Sequence, residues 1–270
     1  MVSESPDRSF MKHLIEWAGE LLLCHMSDMA ELPDAFTQHR RRVLWRDLLA
    51  WDVTGDATAL AVLQRSRSDY SLNRYLDRLY LWAPSSDSQH RQALLDMVFE
   101  AIAGDYEQLV HPDQNRENIR ILLESIRTEL GELNDRVVVD YGCGVGLSMS
   151  VAVEFGVRLI GVDRSPSMRE AAAARGMKVW TLEDLALAPE KSLDGVIASY
   201  LFHLLPDLEG LRLLWSRLRL GGVLAANFHK GVGMEVVRQT LEPLGARKVS
   251  FPALTSHHMH GPHLKYVRAI

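Results

Sequence analysis

The chain has 270 residues, of which 47% are hydrophobic and 24% charged, with a formal net charge of −5. These values predict a globular protein of one large or two modest domains. The acidic balance argues against nucleic acid as the main partner, and no apolar run has the length that a membrane span needs. Two cysteines cannot build a disulfide framework, and the first residues lack a signal-peptide pattern, so we expect a cytoplasmic protein.

The first part of the chain has a helical pattern. Apolar residues recur at helical spacing in two stretches, which are Leu14, Trp17, Leu21 and Leu22, and Val43, Leu44, Leu48 and Trp51. Proline and glycine interrupt the pattern, and no β-α-β alternation is present. We therefore predict an N-terminal helical region over residues 1–112, which acts as a lid or forms the contact of a homodimer.

A short glycine-rich stretch follows a predicted helix that runs from Asp113 to about Leu130. Val137–Val139 are three β-branched residues and predict a buried strand, which Asp140 closes. Gly142, Gly144 and Gly146 come next at alternate positions, before a predicted helix. Such a loop lets backbone N–H groups approach a ligand closely, although a tight strand–helix turn would also use glycines.

The spacing D-x-G-x-G-x-G, from Asp140 to Gly146, does not fit the dinucleotide pattern G-x-G-x-x-G, because Leu147 replaces the third glycine. It resembles motif I of the class I S-adenosylmethionine-dependent methyltransferases. The resemblance implies S-adenosylmethionine as cofactor, held by the loop residues Asp140, Gly142, Cys143 and Gly144.

An acid follows the next predicted strand. Val157–Val162 ends at Asp163, and an acid in this place lies at the crevice where open α/β sheets bind ligands. The resemblance implies that the Asp163 carboxylate accepts hydrogen bonds from both ribose hydroxyls, with Arg164 beside it. The alternative is an aspartate that only caps a turn.

The third predicted strand, Met177–Thr181, leads into further acids. In the resembled family an acid in this place contacts the adenine amino group, and a neighbouring backbone N–H contacts the ring. Glu183, Asp184 and Leu185 are the candidates here, and Asp184 is preferred over Glu183. The usual sequence motif of the family is absent at this place, so both Glu183 and Asp184 remain candidates for the adenine contact.

The fourth strand segment, 192–200, also resembles the family. Ser199 and Tyr200 should emerge at its C-terminal end beside the sulfonium, and His203 matches a histidine of the phrase that follows. His229 follows the fifth strand, which comes after Gly221-Gly222. We predict Tyr200, His203 and His229 as catalytic residues, although a histidine among apolar residues is more often a core group than a base.

Two further features lie outside these segments. The resemblance implies that Tyr106 covers the methionine part of the cofactor, although core packing explains a tyrosine equally well. Between the last two strands, the histidines are His257, His258, His260 and His263. An exposed hairpin loop is favoured over a metal site, because no cysteine or carboxylate lies nearby in sequence, and we expect His203 or His229 to matter more than these four.

The ordered set of motifs predicts an α/β fold over residues 113–270. This fold is a doubly wound, mostly parallel seven-stranded sheet that ends in an antiparallel hairpin. The resemblance implies methyl transfer from S-adenosylmethionine to the oxygen or nitrogen of a small molecule in a biosynthetic pathway. Two alternatives stay open, which are another reaction on the same fold, such as a cyclisation, and a non-catalytic interaction subunit.

Overall fold

A computed structural model describes residues 19–33, 42–75, 79–204, 207–251 and 260–269. The chain divides into two compact units, Met1–Val110 and His111–Ile270. The sequence places the boundary two residues later, after residue 112. None of the helices in the described ranges is long and apolar enough to cross a bilayer.

The N-terminal unit is built on a five-stranded sheet. Its strands are β1 (Leu21–His25), β2 (Arg42–Trp45), β3 (Leu48–Asp52), β4 (Tyr70–Tyr75) and β5 (Leu79–Pro84). Their order is β2-β3-β1-β5-β4, and only β1 and β5 pair in parallel. The described α-helices of this unit are Ala57–Ser66, Ser88–Ile102 and Tyr106–Leu109.

The prediction of a helical N-terminal region is therefore wrong. Leu21, Leu22, Leu48 and Trp51, which the helical pattern includes, lie in β1 and β3, where Leu21–Cys24 and Leu48–Trp51 are all buried. Short apolar runs that are buried on both faces of a sheet carry no alternation, so periodicity cannot separate them from a buried helix segment. Leu14 and Trp17 lie outside the described residues.

The C-terminal unit contains the predicted seven-stranded sheet. Its strands are β6 (Val137–Tyr141), β7 (Arg158–Val162), β8 (Lys178–Trp180), β9 (Leu193–Ala198), β10 (Leu218–Asn227), β11 (Ala246–Val249) and β12 (His263–Arg268). The order is β11-β12-β10-β9-β6-β7-β8. Strands β6 to β10 run parallel, and β12 lies antiparallel to both β10 and β11. The α/β fold class and the terminal antiparallel strands are confirmed.

The described α-helices of this unit alternate with its strands along the chain. They are Pro112–Leu130, Ser148–Glu154, Pro166–Ala174, Leu182–Leu187, Leu208–Arg217 and Met234–Leu241. The central strands β6 and β9 are buried, and Val138, Val139, Val196 and Ile197 are fully inaccessible. Strand order reverses between β6 and β9, so a crevice for ligands is expected outside the carboxyl ends of these strands.

The helix Pro112–Leu130, called here the long helix, is joined to the sheet by a buried charge. The Lys265 ammonium on β12 is almost fully buried and donates to Glu129 Oε1 at 2.7 Å, to Thr128 Oγ1 at 3.0 Å and to the Ser125 carbonyl at 3.3 Å. An ammonium out of water is tolerated only when its donors are satisfied and a countercharge is close. Glu129 therefore fixes this end of the long helix.

Removing the countercharge should be costly. Glu129→Ala leaves the Lys265 ammonium buried beside neutral acceptors, and we expect the free energy of unfolding to fall by about 3 kcal/mol. The double variant Glu129→Ala/Lys265→Met should recover most of this loss, because no charge then remains buried. Denaturant unfolding measures both. Glu124→Ala, which breaks the exposed pair with Arg127, is the control, and an equal loss in Glu124→Ala and Glu129→Ala would contradict this role.

Candidate functional site

The loop after β6 adopts the backbone that its glycines permit. Gly142, Gly144 and Gly146 have φ angles of 76°, 52° and 79°. The Gly142 amide donates to the Val162 carbonyl at 2.8 Å, which holds the loop to the end of β7. At Gly146, a Cβ would lie 3.0 Å from the backbone of Ala172, so the loop and the helix Pro166–Ala174 could not approach this closely with a side chain there.

Asp140 supports this loop from within the core. Its carboxylate is 2% exposed and accepts a hydrogen bond from the Ser148 hydroxyl, at the start of the next helix. Burial raises the pKa of Asp140 to about 7, against the Ser148 hydrogen bond, which lowers it. The buried position gives Asp140 a part in shaping the loop, and its predicted direct contact with the cofactor stays a prediction.

Asp163 joins the glycine loop to the end of β7. Its Oδ2 accepts from the Gly144 amide at 2.9 Å, and its Oδ1 accepts from the Ser165 amide at 3.0 Å. Burial raises the pKa of the Asp163 carboxyl, and these amide hydrogen bonds oppose the rise. The Arg164 backbone N–H also hydrogen-bonds the Asp163 carboxylate, so three of its four lone-pair directions face backbone amides and one stays open to a further donor. A ribose hydroxyl is such a donor, and the site fits a nucleoside.

Arg164 and Cys143, two of the predicted cofactor-binding residues, make interactions within the protein. The Arg164 guanidinium is 3.7 Å from Asp207 Oδ2 in a partly exposed ion pair. The Cys143 thiol is buried, and burial raises its pKa well above the usual value, so it is no nucleophile at neutral pH. The Cys143 amide donates to the Val162 carbonyl. Both residues nevertheless lie in the chain segments that border the crevice.

The acids after β8 begin the helix Leu182–Leu187. Asp184 forms a capping box with Thr181, in which the Asp184 carboxylate accepts from the Thr181 amide at 2.9 Å. Both acids are exposed, and both are engaged at this helix start, because the Glu183 carboxylate also hydrogen-bonds the Thr181 side chain. Leu185 is fully buried and its amide donates to the Thr181 carbonyl. The structure therefore argues against Leu185 as a backbone donor to the adenine ring, and the assignment of Asp184 or Glu183 stays a prediction.

Three predicted catalytic residues come together beyond β9 and β10. The ring centroids of His203 and His229 are 5.5 Å apart, and those of Tyr200 and His229 are 6.3 Å apart. Tyr200 follows β9 with a φ of 52°, an uncommon conformation for a side chain of this size. The Tyr200 amide donates to Asn227 Oδ1 at 2.7 Å, at the end of the neighbouring strand.

Ser199 takes part in a polar network that the sequence did not predict. Its hydroxyl donates to Asn115 Oδ1 at 3.0 Å and accepts from Asn118 Nδ2 at 2.8 Å. Asn118 is fully buried, and its Oδ1 is 2.9 Å from His263 Nε2. Asn115 and Asn118 are three residues apart and therefore share one face of the long helix. This spacing alone could have predicted a polar face there.

One histidine of the predicted hairpin loop lies inside the protein. His260 is fully buried, and its Nδ1 is 2.5 Å from the Tyr200 hydroxyl. The prediction of an exposed hairpin loop is wrong for His260, because Asn227 Nδ2 donates to its carbonyl and holds this segment against β10. His257 and His258 lie outside the described residues, and within the described ranges no three metal-binding side chains come together.

Tyr106 lies in the N-terminal unit, at the start of the helix Tyr106–Leu109. Tyr106 has an interaction partner of its own in the protein. Its contact with the methionine part of the cofactor stays a prediction.

The geometry of the glycine loop predicts an asymmetric response to alanine. Gly146→Ala meets both a positive φ and the Ala172 backbone, whereas Gly176 has a φ of 83° with open space around it. We expect Gly176→Ala to lower the free energy of unfolding by about 1–2 kcal/mol, the usual cost of the left-handed region. Gly146→Ala should lose clearly more, because the contact adds to that cost. Denaturant unfolding of both variants tests this, and equal losses would refute the close approach.

Part of the sequence matches a known protein family. Residues 139–226 match the methyltransferase domain family. This stretch extends from β6 through β10 and contains the glycine loop, Asp163 and Tyr200. No curated protein matches the sequence.

Several solved structures resemble the chain. A S-adenosylmethionine-dependent methyltransferase from Archaeoglobus fulgidus is 21% identical, with 56% of this chain and 94% of that chain covered and a TM-score of 0.42. Magnesium protoporphyrin IX methyltransferase from Synechocystis, with S-adenosylmethionine bound, is 20% identical, with 68% and 87% covered and a TM-score of 0.44. A TehB-like methyltransferase from Corynebacterium glutamicum is 16% identical, with 62% and 98% covered and a TM-score of 0.46.

At these scores the structural likenesses carry no information about the acceptor. The family match and the site agree on the cofactor: the glycine loop follows the central strand, and Asp163 offers oxygen acceptors at the end of the next one. Residues 139–226 thus match a methyltransferase domain, and the geometry of the site fits the cofactor S-adenosylmethionine.

Proposed function

We propose that the protein transfers the methyl group of S-adenosylmethionine to an oxygen or nitrogen atom of a small molecule in a biosynthetic pathway. The observation that carries this proposal is the sheet topology: strand order reverses between β6 and β9, and both kinds of group follow the carboxyl ends of neighbouring parallel strands. The glycine loop and Asp163 supply the cofactor side, and Tyr200, His203 and His229 supply the acceptor side. We keep the cytoplasm as the proposed location, because both cysteines are free and buried.

Positioning is the main task assigned to the chain's own residues. Bound S-adenosylmethionine supplies an electrophilic methyl carbon on a sulfonium. Asp163 and the glycine loop would fix the nucleoside, and the cluster of Tyr200, His203 and His229 would border the acceptor. Holding two reactants in line contributes about 7–11 kcal/mol to the barrier reduction, whereas a general base adds about 10²–10⁴-fold in rate.

Two other functions were weighed. A non-catalytic subunit would be free to lose the cofactor motifs, but the three glycines and Asp163 are all present, which favours an enzyme. Another reaction of the sulfonium, such as a cyclisation, has no observation in its favour, and release of the methyl group from labelled cofactor would exclude it. Nucleic acid and membranes are not proposed as partners, and a role for the N-terminal unit as a lid or a homodimer contact remains a proposal.

Cofactor binding is tested by thermal melting. S-adenosylmethionine or S-adenosylhomocysteine at about a hundred times its dissociation constant should stabilise the fold by about 2.7 kcal/mol. NAD is the control, because the glycine spacing does not fit the dinucleotide pattern. A melting temperature that rises with NAD and ignores both sulfur nucleosides would contradict the proposal.

Asp163 provides the matched substitution. Asp163→Ala removes the acceptor of a ribose hydroxyl, at a cost of about 1–3 kcal/mol, so the affinity for S-adenosylhomocysteine should fall about ten- to a hundredfold. Asp113→Ala removes a carboxylate that is 96% exposed on the long helix and should leave the affinity unchanged. Calorimetric titration measures both variants. An unchanged affinity in Asp163→Ala would place the ribose elsewhere.

A further inference from the structure

We propose that Tyr200, His260 and Glu117 form a proton relay that serves a hydroxyl acceptor, so that the enzyme is an O-methyltransferase. This inference rests on the proposed methyl transfer and names the chemical class of its acceptor. Tyr200 would be the residue that touches the acceptor, and His260 and Glu117 would act through it.

The two ring nitrogens of His260 face the other two side chains. The Tyr200 hydroxyl is 2.5 Å from His260 Nδ1, and His260 Nε2 is 3.6 Å from Glu117 Oε2. A phenol that donates to Nδ1 requires the histidine tautomer with its proton on Nε2, which points that N–H toward the carboxylate. The Nε2 atom is buried and has no hydrogen-bond partner within the described ranges. The arrangement repeats the order acid–histidine–hydroxyl that activates nucleophiles in other enzymes.

The backbone around the relay is held in place on both sides. Asn227 is fully buried at the end of β10, and its amide group accepts from the Tyr200 N–H at 2.7 Å and donates to the His260 carbonyl at 2.8 Å. One side chain thus fixes both partners of the phenol–imidazole contact. Tyr200 has a φ of 52°, and a bulky residue in this region keeps its conformation only where the surroundings determine it. A strained backbone that fixes the direction of one side chain is typical of functional sites.

The relay takes up the proton that the acceptor hydroxyl loses during methyl transfer. In the transfer step, the O–CH₃ bond forms while the S–CH₃ bond breaks, and sulfur keeps the electron pair. The acceptor's hydroxyl proton passes to the Tyr200 oxygen as the Tyr200 proton passes to His260 Nδ1, which leaves an imidazolium beside the Glu117 carboxylate. Charge and atoms balance without a further reactant. An alcohol or phenol needs this proton removed during attack, whereas a neutral amine loses its proton after transfer.

The charges around His260 favour the neutral resting state that the relay requires. Burial lowers the pKa of His260, and the Glu117 carboxylate opposes this shift. Burial raises the pKa of Tyr200 to about 12, with Glu117 adding to the rise, so the phenol keeps its proton at neutral pH. The other titratable rings that face the relay are His263, 6.5 Å from His260, and His229, 6.3 Å from Tyr200.

The relay predicts how activity depends on pH. His260 must be neutral to accept a proton, so turnover should rise with pH through its pKa, which burial lowers from the usual histidine value. Because Glu117 raises this pKa, Glu117→Gln should move the acid limb of the profile to lower pH. A residue that only supports the fold would leave the limb where it is.

The experiment measures methyl transfer from labelled S-adenosylmethionine to a panel of phenols, alcohols and hydroxy acids, each with its amine counterpart. The variants are Tyr200→Phe, His260→Asn and Glu117→Gln, and each must still be stabilised by S-adenosylhomocysteine in a thermal melt. Asparagine can accept from Tyr200 but cannot take a proton. The control is His111→Asn, which changes an exposed histidine at the start of the long helix.

We expect transfer to hydroxyl probes, with kcat lowered about 10²–10⁴-fold in Tyr200→Phe and His260→Asn and the KM for the cofactor unchanged. Glu117→Gln should lose about tenfold, which corresponds to one pKa unit, and His111→Asn should match the parent. Transfer to amines alone, or to no probe by a protein that binds the cofactor, would overturn the hydroxyl assignment. Full activity of His260→Asn would overturn the relay. If His260→Asn does not fold, full activity of Tyr200→Phe would overturn it. Failure of the parent to bind the cofactor would instead reject the proposed function itself.

Discussion

The hydrogen bond from the Gly144 amide to Asp163 is the contact on which the cofactor side of the site depends. It joins the loop after β6 to the residue after β7, so two neighbouring parallel strands present one continuous edge. The loop can make this contact because its glycines allow positive φ angles and a close approach to the helix Pro166–Ala174, which follows β7. The same carboxylate then keeps one lone-pair direction for a ligand.

On the acceptor side, the buried side-chain amides of two asparagines, and not charged groups, hold the residues in place. Asn227 fixes the backbone on both sides of the Tyr200–His260 contact, and Asn118 connects Ser199 to His263. Buried polar groups that are fully bonded hold one geometry, because any rearrangement would leave donors unsatisfied in a dry interior. The long helix carries Asn118 and is itself fixed by the buried Lys265 ion pair on β12. Its position therefore decides whether the polar network can form.

The sequence predicted the C-terminal fold well, because each motif there has a local physical cause. Asp140 and the glycines mark a strand–loop–helix turn, and Asp163 marks the end of the next strand, so order and spacing were enough. The N-terminal sheet was missed, since Leu21–Cys24 and Leu48–Trp51 are apolar runs without alternation. His260 and Glu117 are separated by more than a hundred residues in the chain and meet only through tertiary contacts, so no local pattern could pair them.

The central claim is that this crevice binds S-adenosylmethionine with its ribose on Asp163 and its sulfur toward Tyr200. The most direct measurement is a crystal structure of the protein with S-adenosylhomocysteine, with the distances from the ligand atoms to these two side chains. The account predicts that a ribose hydroxyl donates to the Asp163 carboxylate and that the sulfur faces the cluster of Tyr200, His203 and His229. A nucleoside bound away from Asp163, or a sulfur that points away from Tyr200, would contradict it.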